Sequence, residues 1–212
     1  MPKLLRAGWL LPALFIMGCA SPALEQGAAP EFLGEGLAPV RNSGFAEAYA
    51  LPGANLPGYG IVQFSPMSVA DLVVTQTTMS GTTRGQWQVT PEREAGLQQT
   101  WADATARAFR DYPRAESGQG ALRIDAALTR VAPGRSASTA TSASGAMVQG
   151  TSDIVEVSAE FRLVDAASGQ LLAVIRDRRA ISSLQWTRAA GIDSVNLLNS
   201  WAALLHTRVS GR

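Results

Sequence analysis

Lysine is almost missing from this chain: Lys3 is the only one in 212 residues, and cysteine and histidine occur once each, as Cys19 and His206. Charged residues make up 17% of the sequence and the formal net charge is +1. Each scarcity closes off a chemistry. A body without lysine after residue 3 has no Schiff-base nucleophile and no Walker-type phosphate lysine. One cysteine allows neither an internal disulfide nor a redox pair, so stability has to come from the core. A near-neutral chain offers no broad basic field for nucleic acid. The remaining cations are arginines, which grip carboxylates and phosphates bidentately but make poor acids and bases. With 46% hydrophobic residues the composition is that of a globular protein, not a disordered one.

The first nineteen residues, MPKLLRAGWLLPALFIMGC, carry Lys3 and Arg6, then an apolar run, then Ile16-Met17-Gly18-Cys19. A charged start, a short apolar middle and a small residue before a cut describe a secretory signal, too short to stay as a spanning helix. A cysteine just after the cut resembles the lipobox of bacterial lipoproteins, in which the thiol is lipidated and becomes the new N-terminus. Met17 stands where a small or hydroxyl residue is more usual. The resemblance implies lipid attachment at Cys19 and life in the cell envelope. Ala20 is not the aspartate that holds such proteins at the inner membrane, so the expected address is the periplasmic face of the outer membrane. Removing Lys3 and Arg6 with the leader takes the formal charge from +1 to −1.

The expected organisation is a signal peptide over 1–18, a tether and lead-in segment over 19–58, and an α/β globular domain over 59–212. Residues 20–58 are dense in Ala, Pro and Gly and hold no period of 2 or 3.6, so they read as a tether followed by a stretch that wraps the domain. Residues 59–64 (YGIVQF) predict a buried strand, 71–75 a short second one, and 80–86 a loop. Thr90-Pro91 with Glu92 and Glu94 opens a helix whose stripe runs Leu97, Trp101, Thr105, Ala108, Phe109, Tyr112 until Pro113. Residues 119–131 and 154–164 alternate strictly, each with one apolar and one wet face. Between them, 134–153 is a run of small polar residues, long for a hairpin loop and read as functional or disordered. Asp165 to Gly169 predicts a tight turn into a strand over 171–181, and Asp193-Ser194 opens a last helix bearing Leu197, Trp201, Leu204 and Leu205. The sum is an α+β fold: a single mostly antiparallel sheet with two helices packed on one face, Trp101 and Trp201 sharing the core.

In order and spacing, several of these segments resemble a family of bacterial lipoproteins, domain-of-unknown-function 3313. They are Phe32-Leu33-Gly34-Glu35, Tyr49 with Pro52-Gly53, Tyr59-Gly60-Ile61-Val62 followed by Pro66, and LRIDAALT from Leu122. Asp165 with Gly169, the run Arg176-Asp177-Arg178-Arg179, and Trp201-Ala202 complete the set. Gly36 departs from the pattern, standing where the lead-in usually has an aromatic residue. The resemblance implies an envelope lipoprotein with an α/β domain and supplies no activity. The layout is also similar to auxiliary lipoproteins of envelope lipid-transport systems.

Candidate chemistry is thin. His206 has no HxxE or nucleophile-elbow pattern near it. On a strand only Arg176 and Arg178 of the arginine run share a face, with Glu156 and Glu160 as cross-strand neighbours. Gly81-Thr82-Thr83-Arg84-Gly85 lacks the strand–loop–helix setting of a phosphate loop. No catalytic residue, metal ligand or cofactor is expected. The expected contact surface is the wet sheet face carrying Arg123, Glu156, Glu160, Arg176 and Arg178, with the loop over 134–153 as a weaker one. The function expected is that of a non-enzymatic binding or accessory domain, anchored in the membrane and possessing an envelope complex as its partner. The alternatives are a structural subunit of a transport or assembly complex, and an envelope hydrolase using His206.

Overall fold

A computed structural model describes residues 32, 34–75, 89–113, 120–141, 147–182 and 192–212. In chain order these form β1 (Ala38–Pro39), β2 (Glu47–Ala50), a 3-10 turn (Leu56–Gly58), β3 (Ile61–Phe64), β4 (Val73–Val74) and α1 (Pro91–Ala108). Then come β5 (Ala121–Thr141), β6 (Met147–Asp165), β7 (Leu171–Ser182) and α2 (Ile192–Ser210). The fold is α+β. One seven-stranded sheet runs β1-β2-β7-β6-β5-β3, with β4 beside β5 further along. All pairings are antiparallel except those of β3 and β4 with β5.

Both alternating segments form the strands they predict, because each buries every second residue. Leu122, Ile124, Ala126 and Leu128 of β5 are buried, and so are Val155, Val157, Ala159, Phe161 and Leu163 of β6. A register shift between Leu128 and Arg130 keeps Val131 on the buried side. Phe161 lies at the centre of the core: Trp101 of α1 stacks on it with ring centroids 5.7 Å apart, and Trp201 of α2 meets it edge-on, also at 5.7 Å. Phe45 from the lead-in approaches the same ring at 6.2 Å. Trp101 and Trp201 are 1% and 0% exposed. The turn after β6 closes as expected, with Gly169 at φ +75° and the Asp165 carboxylate accepting from Ser168 N, Ser168 Oγ and Ala167 N.

Two segments differ from the sequence reading. The stretch over 134–153 is not one long loop. β5 and β6 continue past Ile154↔Ser182, the last β6–β7 pair, as a two-stranded ribbon from Arg135↔Asp153 to Thr141↔Met147. Ala, Ser, Thr and Gly carry no apolar/polar contrast, so a period of 2 is invisible there, while the backbone ladder needs no particular side chain. Pro133 falls just beyond the last β4–β5 pair, Val74↔Val131, on an edge where a missing N–H costs least. The loop expected over 80–86 lies outside the described residues.

The lead-in, expected to wrap the domain, adds two strands to its sheet. β2 pairs with β7 from Glu47↔Arg176 to Ala50↔Ala173. Phe32, Leu37, Tyr49 and Val174 form a second, smaller apolar cluster. Val174 alternates with core-facing Ile175, so this cluster lies on the face opposite Phe161. The face expected to be wet is therefore covered at its β2–β7 end.

Candidate functional site

The expected lipid attachment at Cys19 lies outside the described residues; among those described, three places hold side chains that could do chemistry or bind. The first is the wet sheet face. Arg176 Nε donates to Glu160 Oε2 at 2.8 Å, and its guanidinium sits 4.7 Å from the Phe32 ring centroid. Arg162 reaches Glu160 at 3.5 Å and Glu35 at 3.8 Å. Arg176 is thus engaged with Glu160 and with Phe32 of the lead-in, and Arg162 bridges Glu160 to Glu35. Glu156 stands opposite Ala180 and Arg178 opposite Ser158, so neither meets a charge directly across the strand. Arg123 lies at the far side of the sheet, opposite Gln63 of β3, and its Nε donates to both oxygens of Asp125 at 3.1 Å. The five residues expected to form one surface are spread over three strands and are not drawn into a single cluster.

The second place is His206. Its Nε2 lies 2.9 and 3.0 Å from the two oxygens of Asp111, and this contact holds the Asp111 carboxyl below its ordinary range. The ring meets Phe109 edge-on at 5.0 Å and Tyr112 at 5.9 Å. Ser210, four residues further along α2, has a buried hydroxyl with no hydrogen-bond partner, so it is not bonded to the imidazole. Among the described residues no group of three or more His, Cys, Asp or Glu could hold a metal ion.

The third place was not read from the sequence. A groove of about 930 Å³ runs between α1 and the edge strand β3. Local sequence sets both walls. Thr90 caps α1 by accepting from Arg93 N at 3.3 Å, with Pro91 at the first helical position and Glu92 and Glu94 in the first turn. The helix ends where Phe109 N returns to Thr105 O at 2.9 Å, ahead of Pro113. α1 offers the groove small residues, Ala95, Ala102 and Ala106, beside Gln98 and Gln99. β3 offers Val62 and Phe64 on its core side and Gln63 on the other, held in parallel register by Val62↔Leu122 and Phe64↔Ile124. Phe64 meets Phe109 at 4.8 Å and Trp101 at 6.0 Å, so the floor is aromatic.

Trp101 lines this groove, and its buried indole N–H has no hydrogen-bond partner. Most buried donors are satisfied, and an unmade bond costs about 1–3 kcal/mol. Trp201 shows the ordinary arrangement: its Nε1 donates to Asp177 Oδ2 at 2.8 Å. Asp177, buried within the arginine run, also accepts from Ala46 N at 3.0 Å and Arg179 Nε at 2.7 Å. Arg179 and Arg208 in turn donate to the carbonyls of Gly44 and Ser43, fixing the loop in which Asn42 has φ +54° and Gly44 φ +79°. The alternation of the run was legible and put Asp177 opposite to Arg176 and Arg178; its partners were not. Alanines at 95, 102 and 106 beside an aromatic were the one sequence signal of the groove.

A polar pair closes the end of the sheet near the groove. Tyr59 Oη donates to Asp165 Oδ2 at 2.8 Å. Burial, then this bond, pushes the Tyr59 phenol up to about 12; the Ser168 N–H, the Ser168 hydroxyl and Tyr59 together pull Asp165 down to about 2. Ser65 Oγ and Asp125 are joined by a further hydrogen bond.

Comparison with known proteins sets these features in context. No curated protein matches the chain by sequence. Among solved structures it is similar to the PelC dodecamer from Paraburkholderia phytofirmans in space group P6, at 14% identity and a TM-score of 0.37, covering 73% of this chain and 92% of that one. A single-substitution PelC dodecamer from the same organism, in space group C2, gives 15% identity and the same score and coverage. Among the described residues no helix is long and apolar enough to cross a membrane. The family described as "Protein of unknown function (DUF3313)" matches residues 39–205, most of the chain, and the protein belongs to it.

Proposed function

We propose that this protein is a non-enzymatic binding or accessory domain, anchored by lipid at Cys19 to the periplasmic face of the outer membrane. The observation that carries the binding part is the α1–β3 groove of about 930 Å³, with Phe64, Trp101 and Phe109 as its floor and Gln98, Gln99 and Arg123 among its polar lining. A concave recess with an apolar floor and a few polar groups is the form that small-molecule sites take. We infer further that both helices cover the Phe161 face of the sheet, since Trp101 and Trp201 each lie against that ring. The opposite face, with Glu156 and Arg178, would then be open to an envelope partner. The anchor part rests on the leader and Cys19: several acyl chains, each CH₂ contributing about 0.8 kcal/mol when buried, hold a protein firmly to a bilayer.

The ribbon beyond Ile154 favours a second reading, a subunit of an envelope transport or assembly complex. Isolated two-stranded ribbons are marginal in water, so a neighbour along it would be stabilising. One experiment addresses the anchor and the role together. Cys19→Ala should abolish labelling by a fatty-acid probe and release the protein from outer-membrane fractions; persistent labelling would overturn the anchor. Crosslinking in cells should recover an envelope partner that is lost on charge reversal at the exposed Arg178, while His206→Ala leaves the cellular phenotype intact. Loss of phenotype with His206→Ala alone would bring forward an envelope hydrolase.

A further inference from the structure

We infer that the α1–β3 groove takes an extended peptide segment of a partner protein, added as a strand to the outer edge of β3. This rests on the binding reading above and names its partner class. A recess becomes a peptide site when one of its walls is a free strand edge. Side chains of a strand point alternately to its two faces, yet Val62, Gln63, Phe64, Ser65 and Pro66 all line the groove. It therefore follows the edge of β3 and not one face of the sheet. The register leaves that edge open. β3 runs parallel to β5 from Ile61↔Ala121 to Phe64↔Ile124, and Ser65 N donates to Ile124 O at 3.1 Å. Main-chain groups of successive residues point to opposite sides of a strand, so those of Gln63 and Ser65 meet β5. The N–H and C=O of Val62 and Phe64 point away from it. Among the described residues no strand pairs with β3 on that side.

Free edges are ordinarily guarded by charge, and residues 59–70 include no Asp, Glu, Lys or Arg. Pro66, without an N–H, limits the ladder at its C-terminal end. The opposite wall has the length an extended segment needs. From Ala95 to Phe109, α1 advances about 21 Å at about 1.5 Å per residue, which an extended chain covers in about six residues. Residues of the added strand opposite Val62 and Phe64 turn to the same side as these, toward Ala102, Ala106 and Phe109, where aliphatic side chains have room. The polar lining, Gln63, Gln98, Gln99 and Ser65, is amide and hydroxyl, which donate and accept as a peptide main chain does. Arg123 is paired with Asp125 and imposes no sign on the ligand. The partner segment is thus extended and uncharged, with aliphatic side chains at every second position.

The test follows hydrogen exchange residue by residue in the full-length chain, held in phospholipid nanodiscs, with the capped peptide Thr-Val-Thr-Val-Thr-Val as probe. In the free protein the amides of Val62 and Phe64 should exchange at least tenfold faster than that of Ser65, which β5 already holds. Saturating peptide should slow Val62 and Phe64 at least tenfold and leave Ser65 unchanged. Only alternate N–H groups of an added strand point at β3, so N-methylating the valines or the threonines should abolish protection in one case and spare it in the other. Ala102→Trp, at an exposed position of the lining, should abolish protection while Ser65 stays slow. Should that variant unfold, shown by fast exchange at Ser65, the N-methylated pair carries the test. Val62 and Phe64 already slow in the free protein, no slowing with peptide, like behaviour of the two N-methylated peptides, or protection that survives in folded Ala102→Trp would each overturn the inference. An envelope partner crosslinked in cells, alongside absent protection by the peptide, would sink this inference alone and leave the binding role standing.

Discussion

Two tryptophans, both buried and both against Phe161, occupy opposite situations. At the α2–β7 end, Trp201 donates to Asp177, which also holds Ala46 N and Arg179, so lead-in, sheet and helix are tied through one carboxylate. At the α1–β3 end, Trp101 has the same depth and stacking but no partner for its N–H, and a groove opens beside it. The difference teaches that burial alone does not assign a role. One end spends its polar groups on internal closure; the other leaves a donor unspent.

The largest expected effect falls at the closed end. Asp177→Ala leaves the N–H groups of Trp201 and Ala46 without their acceptor, at about 1 to 3 kcal/mol for each unsatisfied donor, while Arg179 keeps the Gly44 carbonyl and solvent. Urea unfolding should show this as a large drop in midpoint; a change within error would mean the carboxylate ties nothing together. Comparing Trp201→Phe with Trp101→Phe sharpens the contrast. The first loses a hydrogen bond to a charged acceptor, worth about 1.5 to 3 kcal/mol, on top of lost contact; the second removes a donor that was never satisfied. Trp201→Phe should therefore be the more destabilising by roughly that amount, and equal losses would break the comparison.

A smaller effect, dependent on pH, belongs to the Tyr59–Asp165 pair. Asp165 sits at about 2 in the folded chain against an ordinary value of 3.8, so its contribution is present above about pH 4 and is lost as pH falls through about 2. Tyr59, raised to about 12 from 10.0, contributes below pH 10 and loses that contribution as pH rises through about 12. Tyr59→Phe should flatten the alkaline limb of a thermal-stability profile and soften the acid one; unchanged limbs would remove the pair from the account. The smallest effect is expected at the exposed sheet face, where Arg178→Gln should move stability by less than about 0.5 kcal/mol in the same urea titration.

Much of the frame could be read directly from the residues. Leu122 to Leu128 and Val155 to Leu163 announce strands because one face is buried and the other wet, and Thr90-Pro91 announces a helix because a cap and a pre-set φ are local properties. Gly169 after Asp165 is legible for the same reason. The ribbon of 135–141 with 147–153 was not, since Ser, Ala and Thr look alike to a periodicity argument. Nor were β1 and β2, which are only two and four residues long and are placed by the free edge of β7. The groove left only alanines as a trace, and the five expected contact residues gave no sign of how far apart the register would set them.

By itself, then, the sequence determined the strand and helix identities of the long elements and which residues of each face the core. These depend on period, caps and composition, all carried by neighbours in the chain. The tertiary structure alone decided that β3 and β4 join β5 in parallel, that Asp177 closes one end of the core, and that Trp101 is left with an open donor beside a groove. Those outcomes depend on which distant groups arrive together, and a hydrogen bond made or missed across 24 residues for Trp201 and Asp177, or 106 for Tyr59 and Asp165, has no local signature.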